Sequence, residues 1–342
     1  MIGVSTATLG AEVEIAPEQV RAGSIDLYVN SVCNLACRTC FLGDEYFQRG
    51  HAMSVEDVAR IAHWLTRAGV RDVAVLGGEP TLHRDVVEIF RVLRQANIGR
   101  TRLITNGCPR AQALLAGPLR ELVDLPYVSL DGATLETNDE IRGAGSFAHA
   151  MACIGLLHEQ GREFVITSTL GRAAIDELDL LLDLAENSGA SVLNIHWLSA
   201  VGRARETDLP VNASEWKRVC ERIATYAPRR KSLTVECQLG WRATGEGPAE
   251  KADTRACLVR ELANLQFMPD GSVVSCGLLA DDPARSGFRW DGERLLERAG
   301  DTERGLCAAF DGQGCPVRQS WMGEPNQPLP LCIYERVVAR AA

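Results

Sequence analysis

From residue 25 to residue 226 the chain alternates short apolar runs with longer amphipathic ones, and this alternation constrains the fold more than any other feature. Ile25–Ser31 reads I-D-L-Y-V-N-S with period two, as a strand. Ser54 then opens a helix with Asp57 placed as in a capping box, Val55, Val58, Ile61, Ala62 and Leu65 share one face, and Gly69 ends it. Strands are expected again at Val73–Leu76, Arg102–Thr105, Tyr127–Leu130, Glu163–Leu170 and Val192–Leu198. Helices are expected over Leu82–Ala96, Phe147–Gln160, Ile175–Asn187 and Ser214–Tyr226. Such alternation demands parallel strands joined by right-handed crossovers. Six strand-helix units are too few for a closed eight-stranded barrel, so the expected fold is α/β, a partial (β/α)6 or three-quarter TIM barrel. Three segments are expected: an N-terminal leader (1–24), this core (25–230) and a small C-terminal β-hairpin/α domain (231–342).

Parallel α/β folds keep their chemistry at the carboxyl ends of the strands. The first such end carries V-C-N-L-A-C-R-T-C-F, residues 32–41. Cys33, Cys37 and Cys40 can converge on one iron-sulfur cluster, and with no fourth Cys nearby a 4Fe-4S cube would keep one iron open. A zinc site with His51 as fourth ligand and a disulfide pair are the competing readings. The second strand runs into Gly77-Gly78-Glu79-Pro80, where the glycines let backbone approach a ligand and Glu79 offers a carboxylate to a cationic amine. Asn106, Asp131 and His196 also sit at strand ends, and Asn194 shares the face of His196 by period-two counting, so His196, Asn194 and Asp131 are the candidate catalytic residues.

Composition narrows the partners. The net charge of -9 argues against a nucleic-acid or anionic-membrane surface, and no apolar run reaches the length of a membrane span. Met1–Ser24 lacks the basic start and apolar centre of a signal peptide. A cytoplasmic location is therefore expected, in which twelve cysteines imply metal or buried thiols. Cys108, Cys153, Cys220 and Cys237 are dispersed and read as packed thiols.

Taken together, C-x3-C-x2-C and G-G-E-P one helix later resemble the radical S-adenosylmethionine (SAM) superfamily. Thr105-Asn106-Gly107, Ser129-Leu130-Asp131-Gly132, Ile141-Arg142-Gly143 and Val201-Gly202-Arg203-Ala204 look like segments of the same family. The resemblance implies that SAM chelates the open iron and that Gly77, Gly78, Glu79 and Pro80 meet its amino group, with Asn106 among the cofactor-binding positions. Ser129 and Arg142 suit its carboxylate on hydroxyl and guanidinium chemistry. One departure stands out: the residue before the third cysteine is usually aromatic in this family, and here it is Thr39. Phe41 is the expected substitute against the adenine.

Near the carboxyl end, F-M-P-D-G-S-V-V-S (267–275) reads as a hairpin with a D-G turn, flanked by Cys257 and Cys276 and followed by Cys307, Cys315 and Cys332. This is similar to SPASM and twitch extensions, although the C-x2-C-x5-C-x3-C run of a full SPASM domain is absent. The resemblance implies one auxiliary 4Fe-4S cluster on Cys257, Cys276, Cys315 and Cys332, with Cys307 as the substitute. It also implies one-electron reduction of SAM, by a donor such as flavodoxin or ferredoxin, to methionine and a 5'-deoxyadenosyl radical that abstracts hydrogen from a substrate. The expected substrate is a small molecule, a sugar or nucleoside intermediate in natural-product biosynthesis, undergoing oxidation, dehydration, decarboxylation or epimerisation. The alternatives are a peptide maturase forming thioether or carbon-carbon crosslinks and, more remotely, an electron carrier without SAM chemistry.

Overall fold

The structure, a computed structural model, describes residues 12–226, 232–237, 241–242, 262, 264–275, 277, 287–298 and 329–330. The strands in chain order are β1 (Glu12–Ile15), β2 (Ser24–Tyr28), β3 (Asp72–Leu76), β4 (Arg100–Thr105), β5 (Leu125–Ser129), β6 (Val165–Leu170), β7 (Val192–Trp197), β8 (Thr234–Cys237), β9 (Trp241–Arg242), β10 (Gln266–Phe267), β11 (Ser272–Val274), β12 (Phe288–Trp290), β13 (Leu295–Arg298) and β14 (Leu329–Pro330). The helices are α1 (Asp44–Gln48), α2 (Val55–Arg67), α3 (Val86–Gln95), α4 (Pro109–Ala116), α5 (Leu135–Arg142), α6 (Ser146–Glu159), α7 (Leu178–Asn187) and α8 (Ala213–Tyr226).

Strands β2 to β8 lie side by side in chain order, all parallel, and the sheet does not close. The expected partial barrel is what forms, with a seventh parallel strand, β8, beyond the six expected. Helix α2 starts where its sequence says it should: Ser54 Oγ accepts the Asp57 N–H at 3.0 Å, and Val58, Ile61, Ala62 and Leu65 are buried against the sheet. Alternation within the strands sorts the two faces. Val128, Ile166, Leu193 and Ile195 go into the helix-covered core, while Ser129, Thr167, Asn194 and His196 face the concave side.

Beyond β2 the sheet continues through β10, parallel to β2, and the antiparallel strands β11, β12 and β13, ending at β1. The D-G hairpin is therefore real, as β10–β11, and it extends the barrel sheet. Within the N-terminal segment, Glu12–Ile15 pairs with β13 nearly three hundred residues later; Glu12 accepts from Arg289 Nε at 2.7 Å. A separate ribbon pairs β9 with β14.

Trp64 of α2 is the keystone of this extension, with ring centroids 6.4 Å from Phe267 and 6.0 Å from Trp290, both edge-on. Trp64→Ala is expected to cost about 3–5 kcal/mol in urea unfolding, because a large aromatic leaves an unfilled cavity between helix and hairpin. A cost under about 1 kcal/mol would mean the hairpin is held some other way.

Low on the concave side, Gln266, Asp26, Ala74 and Arg102 share one row across β10, β2, β3 and β4. Burial pushes Asp26 up to about 6, with Arg102 pulling the other way. The folded protein thus holds this proton more tightly than the unfolded chain does, so the stability it confers is complete below about pH 3.8 and is lost as pH rises through about 6. Asp26→Asn should raise Tm at neutral pH and flatten its fall across that window. An unchanged profile would remove Asp26 as the source. Among the described residues no helix is long and apolar enough to cross a membrane.

Candidate active site at the mouth of the partial barrel

The cysteine loop follows β2 and is pinned along its whole length. Ser31 N–H donates to His51 O at 2.9 Å, Tyr46 Oη donates to Asn30 O at 2.8 Å, Arg38 N–H donates to Ile141 O at 2.8 Å, and Cys40 N–H donates to Cys37 O at 3.2 Å. The loop is thus held by three residues outside it, Tyr46, His51 and Ile141, and by one bond of its own. The Leu35 N–H points at Cys33 Sγ at 3.5 Å, as suits a thiolate.

As thiols, Cys33 is pushed up to about 11 and Cys40 to about 12 by burial. Only a strongly electropositive partner such as iron takes their protons near neutral pH. The disulfide reading falls, since all seven described cysteines are free. The zinc reading falls too: among the described residues no three of His, Cys, Asp and Glu gather around a single-ion point, and His51 is exposed. A cubane asks for something else, one thiolate on each of three irons, and three free cysteines on one pinned loop fit it.

Gly77 and Gly78 are glycines for the sake of this loop. A Cβ on Gly77 would lie 2.6 Å from Asn30 O, and one on Gly78 2.3 Å from Val32 O. Through that close approach Gly78 N–H donates to Asn30 O at 2.9 Å and Glu79 N–H to Val32 O at 2.7 Å. The Glu79 side chain turns inward. Its Oε1 accepts from Thr81 Oγ1 (2.6 Å), Thr105 Oγ1 (2.8 Å) and Thr81 N–H (3.1 Å), and Oε2 accepts from Asn106 N–H (2.8 Å). Burial raises its pKa while those four donors lower it. Glu79 therefore locks the ends of β3 and β4 together and caps the short helix begun by Pro80. Asn106 in turn donates from Nδ2 to Asn34 Oδ1 at 2.9 Å, inside the cysteine loop.

Asp131 is fully engaged. Its Oδ2 accepts from Arg142 Nη1 at 2.7 Å and from Thr39 Oγ1 at 3.1 Å, and its Oδ1 accepts the Thr169 N–H at 2.8 Å. Burial opposes the charge on Arg142, but the Asp131 carboxylate together with the Cys37 and Cys33 sulfurs outweighs it and raises the Arg142 pKa. In this geometry Asp131 ties Arg142, Thr39 and Thr169 together, and the Arg142 guanidinium is paired with a carboxylate. Thr39, the departure from the family pattern, is the residue that joins loop to tie. Phe41 stands edge-on to Tyr28 with centroids 6.4 Å apart, half-buried on the other side of the loop. Ser129, Asn194 and His196 share the concave face, with Ser129 on β5 separated from Asn194 and His196 on β7 by β6. Burial lowers His196 below its ordinary pKa, with Asp131 acting against it, so His196 is neutral at pH 7.

A second clamp comes from Gly202-Arg203-Ala204, which sequence alone leaves as a family-like segment or a surface turn. Gly202 has φ +54, and a Cβ there would lie 2.3 Å from the Phe41 carbonyl. Arg203 N–H donates to Cys40 O at 2.9 Å, Arg203 Nε pairs with Asp44 at 2.5 Å, and its guanidinium lies 4.4 Å from the Phe47 ring centre. Gly202→Ala should therefore displace the third cysteine. Iron retained after reconstitution is expected to fall well below wild type, along with a loss of about 1–3 kcal/mol from the strained backbone. Full iron retention would show that the clamp does not position Cys40.

Cys257, Cys276, Cys307, Cys315 and Cys332 lie outside the described residues. The signature described as the Radical SAM superfamily matches residues 27–185, which contain the cysteine loop, G-G-E-P and the Asp131 tie. The chain is 35% identical over 321 residues to the mycofactocin maturase MftC of Mycobacterium ulcerans (strain Agy99), covering 88% of this chain and 85% of that protein. It is 28% identical over 271 residues to the PqqA peptide cyclase of Ruegeria pomeroyi, covering 78% and 70%. The crystal structure of Streptococcus suis SuiB bound to precursor peptide SuiA superposes with a TM-score of 0.63 at 18% identity, over 76% of this chain and 61% of that one, and so shares the fold. The chain belongs to the radical SAM superfamily, enzymes that work with a 4Fe-4S cluster and SAM.

Proposed function

We propose that this enzyme is a maturase that modifies a peptide. One observation carries the reading: similarity to a mycofactocin maturase and to a PqqA peptide cyclase runs through most of the chain, well past the stretch common to the superfamily. It displaces the expected sugar or nucleoside substrate in favour of the peptide alternative.

When bound, the cluster and SAM supply the oxidant for hydrogen abstraction from an unactivated carbon. The protein's part is placement. Cys33, Cys37 and Cys40 would hold three irons, the backbone of 77–79 would face the amino group of SAM, and the Ser129 hydroxyl is free to meet its carboxylate. Neutral His196 and Asn194 face the space where the substrate carbon would stand. Cys257, Cys276, Cys315 and Cys332, with Cys307 in reserve, are the ligands we assign to an auxiliary cluster, and a flavodoxin- or ferredoxin-type donor would reduce the first one.

Co-expressing the chain with each short open reading frame that flanks its gene, followed by mass spectrometry, tests the reading. One peptide should shift in mass in a manner that needs Cys33. Turnover of a free sugar or nucleoside with no peptide shifted would overturn it.

A further inference from the structure

The concave wall carries polar groups that neither the fold nor the cysteine loop uses. Strand register puts Ser129, Thr167, Asn194 and Glu236 in a single row across β5, β6, β7 and β8. All four point away from the helices. On β8 it is Val235 and Cys237 that pack against the core, which leaves Glu236 exposed on the concave side. None of the four side chains hydrogen-bonds or ion-pairs with a described residue, in contrast to Glu79, Asp131 and Arg142 nearby.

Unused hydroxyls, a carboxamide and a carboxylate in a line form a binding surface, because each must otherwise be satisfied by water alone. Adjacent strands lie about 4.8 Å apart, so the row spans about 14 Å, the length of about four residues of extended peptide. Its electrostatic character is set at one end. Asp131 and Arg142 cancel each other and His196 is neutral, so Glu236 is the uncompensated charge of the row among the described residues. A carboxylate accepts hydrogen bonds and offers none. It lies on β8, the last strand of the parallel set among the described residues.

We infer that Glu236, with Asn194 and Thr167 beside it, is a substrate subsite for a positively charged group of the peptide, a Lys or Arg side chain or the amino terminus. The inference rests on the reading that the substrate is a peptide. Glu236 then sets which residue of the peptide enters beside β8, and so which carbon is brought below the cysteine loop.

The test is selection from a displayed random library of short peptides on immobilised full-length protein, reconstituted with iron and sulfide and supplied with SAM. Wild type, Glu236→Gln and Glu236→Lys are compared, with iron content and circular dichroism confirming that each is folded. Wild type should enrich peptides bearing Lys or Arg at one fixed place by roughly tenfold over Glu236→Gln, and Glu236→Lys should replace that preference by Asp or Glu. If Glu236→Lys does not fold, loss of the basic preference in Glu236→Gln decides. Enriched peptides without a basic position, or the same basic preference on all three proteins, overturn the subsite and leave the peptide reading standing. No enrichment on wild type overturns the peptide reading and the subsite with it.

Discussion

Replacing Cys33, Cys37 and Cys40 together by alanine is expected to abolish SAM cleavage, with 5'-deoxyadenosine falling at least about a thousandfold to background, while any iron held by the C-terminal cysteines stays. A thiolate ligand is not exchangeable for a methyl group, and without the cluster no electron reaches SAM. The fold should survive. The loop is held by backbone bonds from Ser31, Arg38 and Cys40 and by the close approach of Gly77 and Gly78, none of which uses a thiol. Loss of product with an unchanged circular dichroism spectrum is the expected pair of results. Continued product from the triple variant would place the reducing centre elsewhere.

Asp131→Ala is expected to have the largest effect of any single polar substitution, about 3–5 kcal/mol in denaturant unfolding. It strands the Arg142 guanidinium, whose side chain is 13% exposed, and deprives Thr39 Oγ1 and the Thr169 N–H of their acceptor. Much of that cost belongs to the orphaned charge rather than to the pair. Arg142→Met placed on top of Asp131→Ala should therefore recover a good part of it, and the double-mutant cycle measures how much. Thr39 makes the consequence functional, because the tie ends one residue from Cys40. Asp131→Ala should accordingly lose iron as well as stability. Additive single effects, or a total cost below about 1 kcal/mol, would remove the tie from the account.

The barrel was legible in the chain because its longer units show their period: α2 and α3 display a helical face, and β7 alternates over six residues. Three short elements carry no such signal. Strand β8 has only Val235 and Cys237 as inward apolar residues, β1 is defined by pairing of Glu12 with Arg298 at the far end of the sequence, and α1 is one turn long. The cysteine loop announced itself by spacing alone. What spacing could not convey was the direction of side chains whose partners are distant in sequence. Glu79 looked available because it follows two glycines, yet those glycines make room for the backbone of Asn30 and Val32, and the carboxylate goes to Thr81, Thr105 and Asn106. Thr39 looked like a lost aromatic. Its partner lies 92 residues away, and the hydroxyl gains meaning only when β5 brings Asp131 beside the loop. Gly202 could have been suspected, since a glycine ahead of Arg203 is what a tight left-handed turn requires.

The central claim is that Cys33, Cys37 and Cys40 present a cluster with an iron open to SAM. Electron paramagnetic resonance of the anaerobically reconstituted, reduced wild-type protein, recorded with and without SAM and paired with iron counting, tests it most directly. The account predicts about eight irons per chain, as two 4Fe-4S clusters require, and a signal that changes when SAM is added. A reduced cluster whose signal is indifferent to SAM would contradict it.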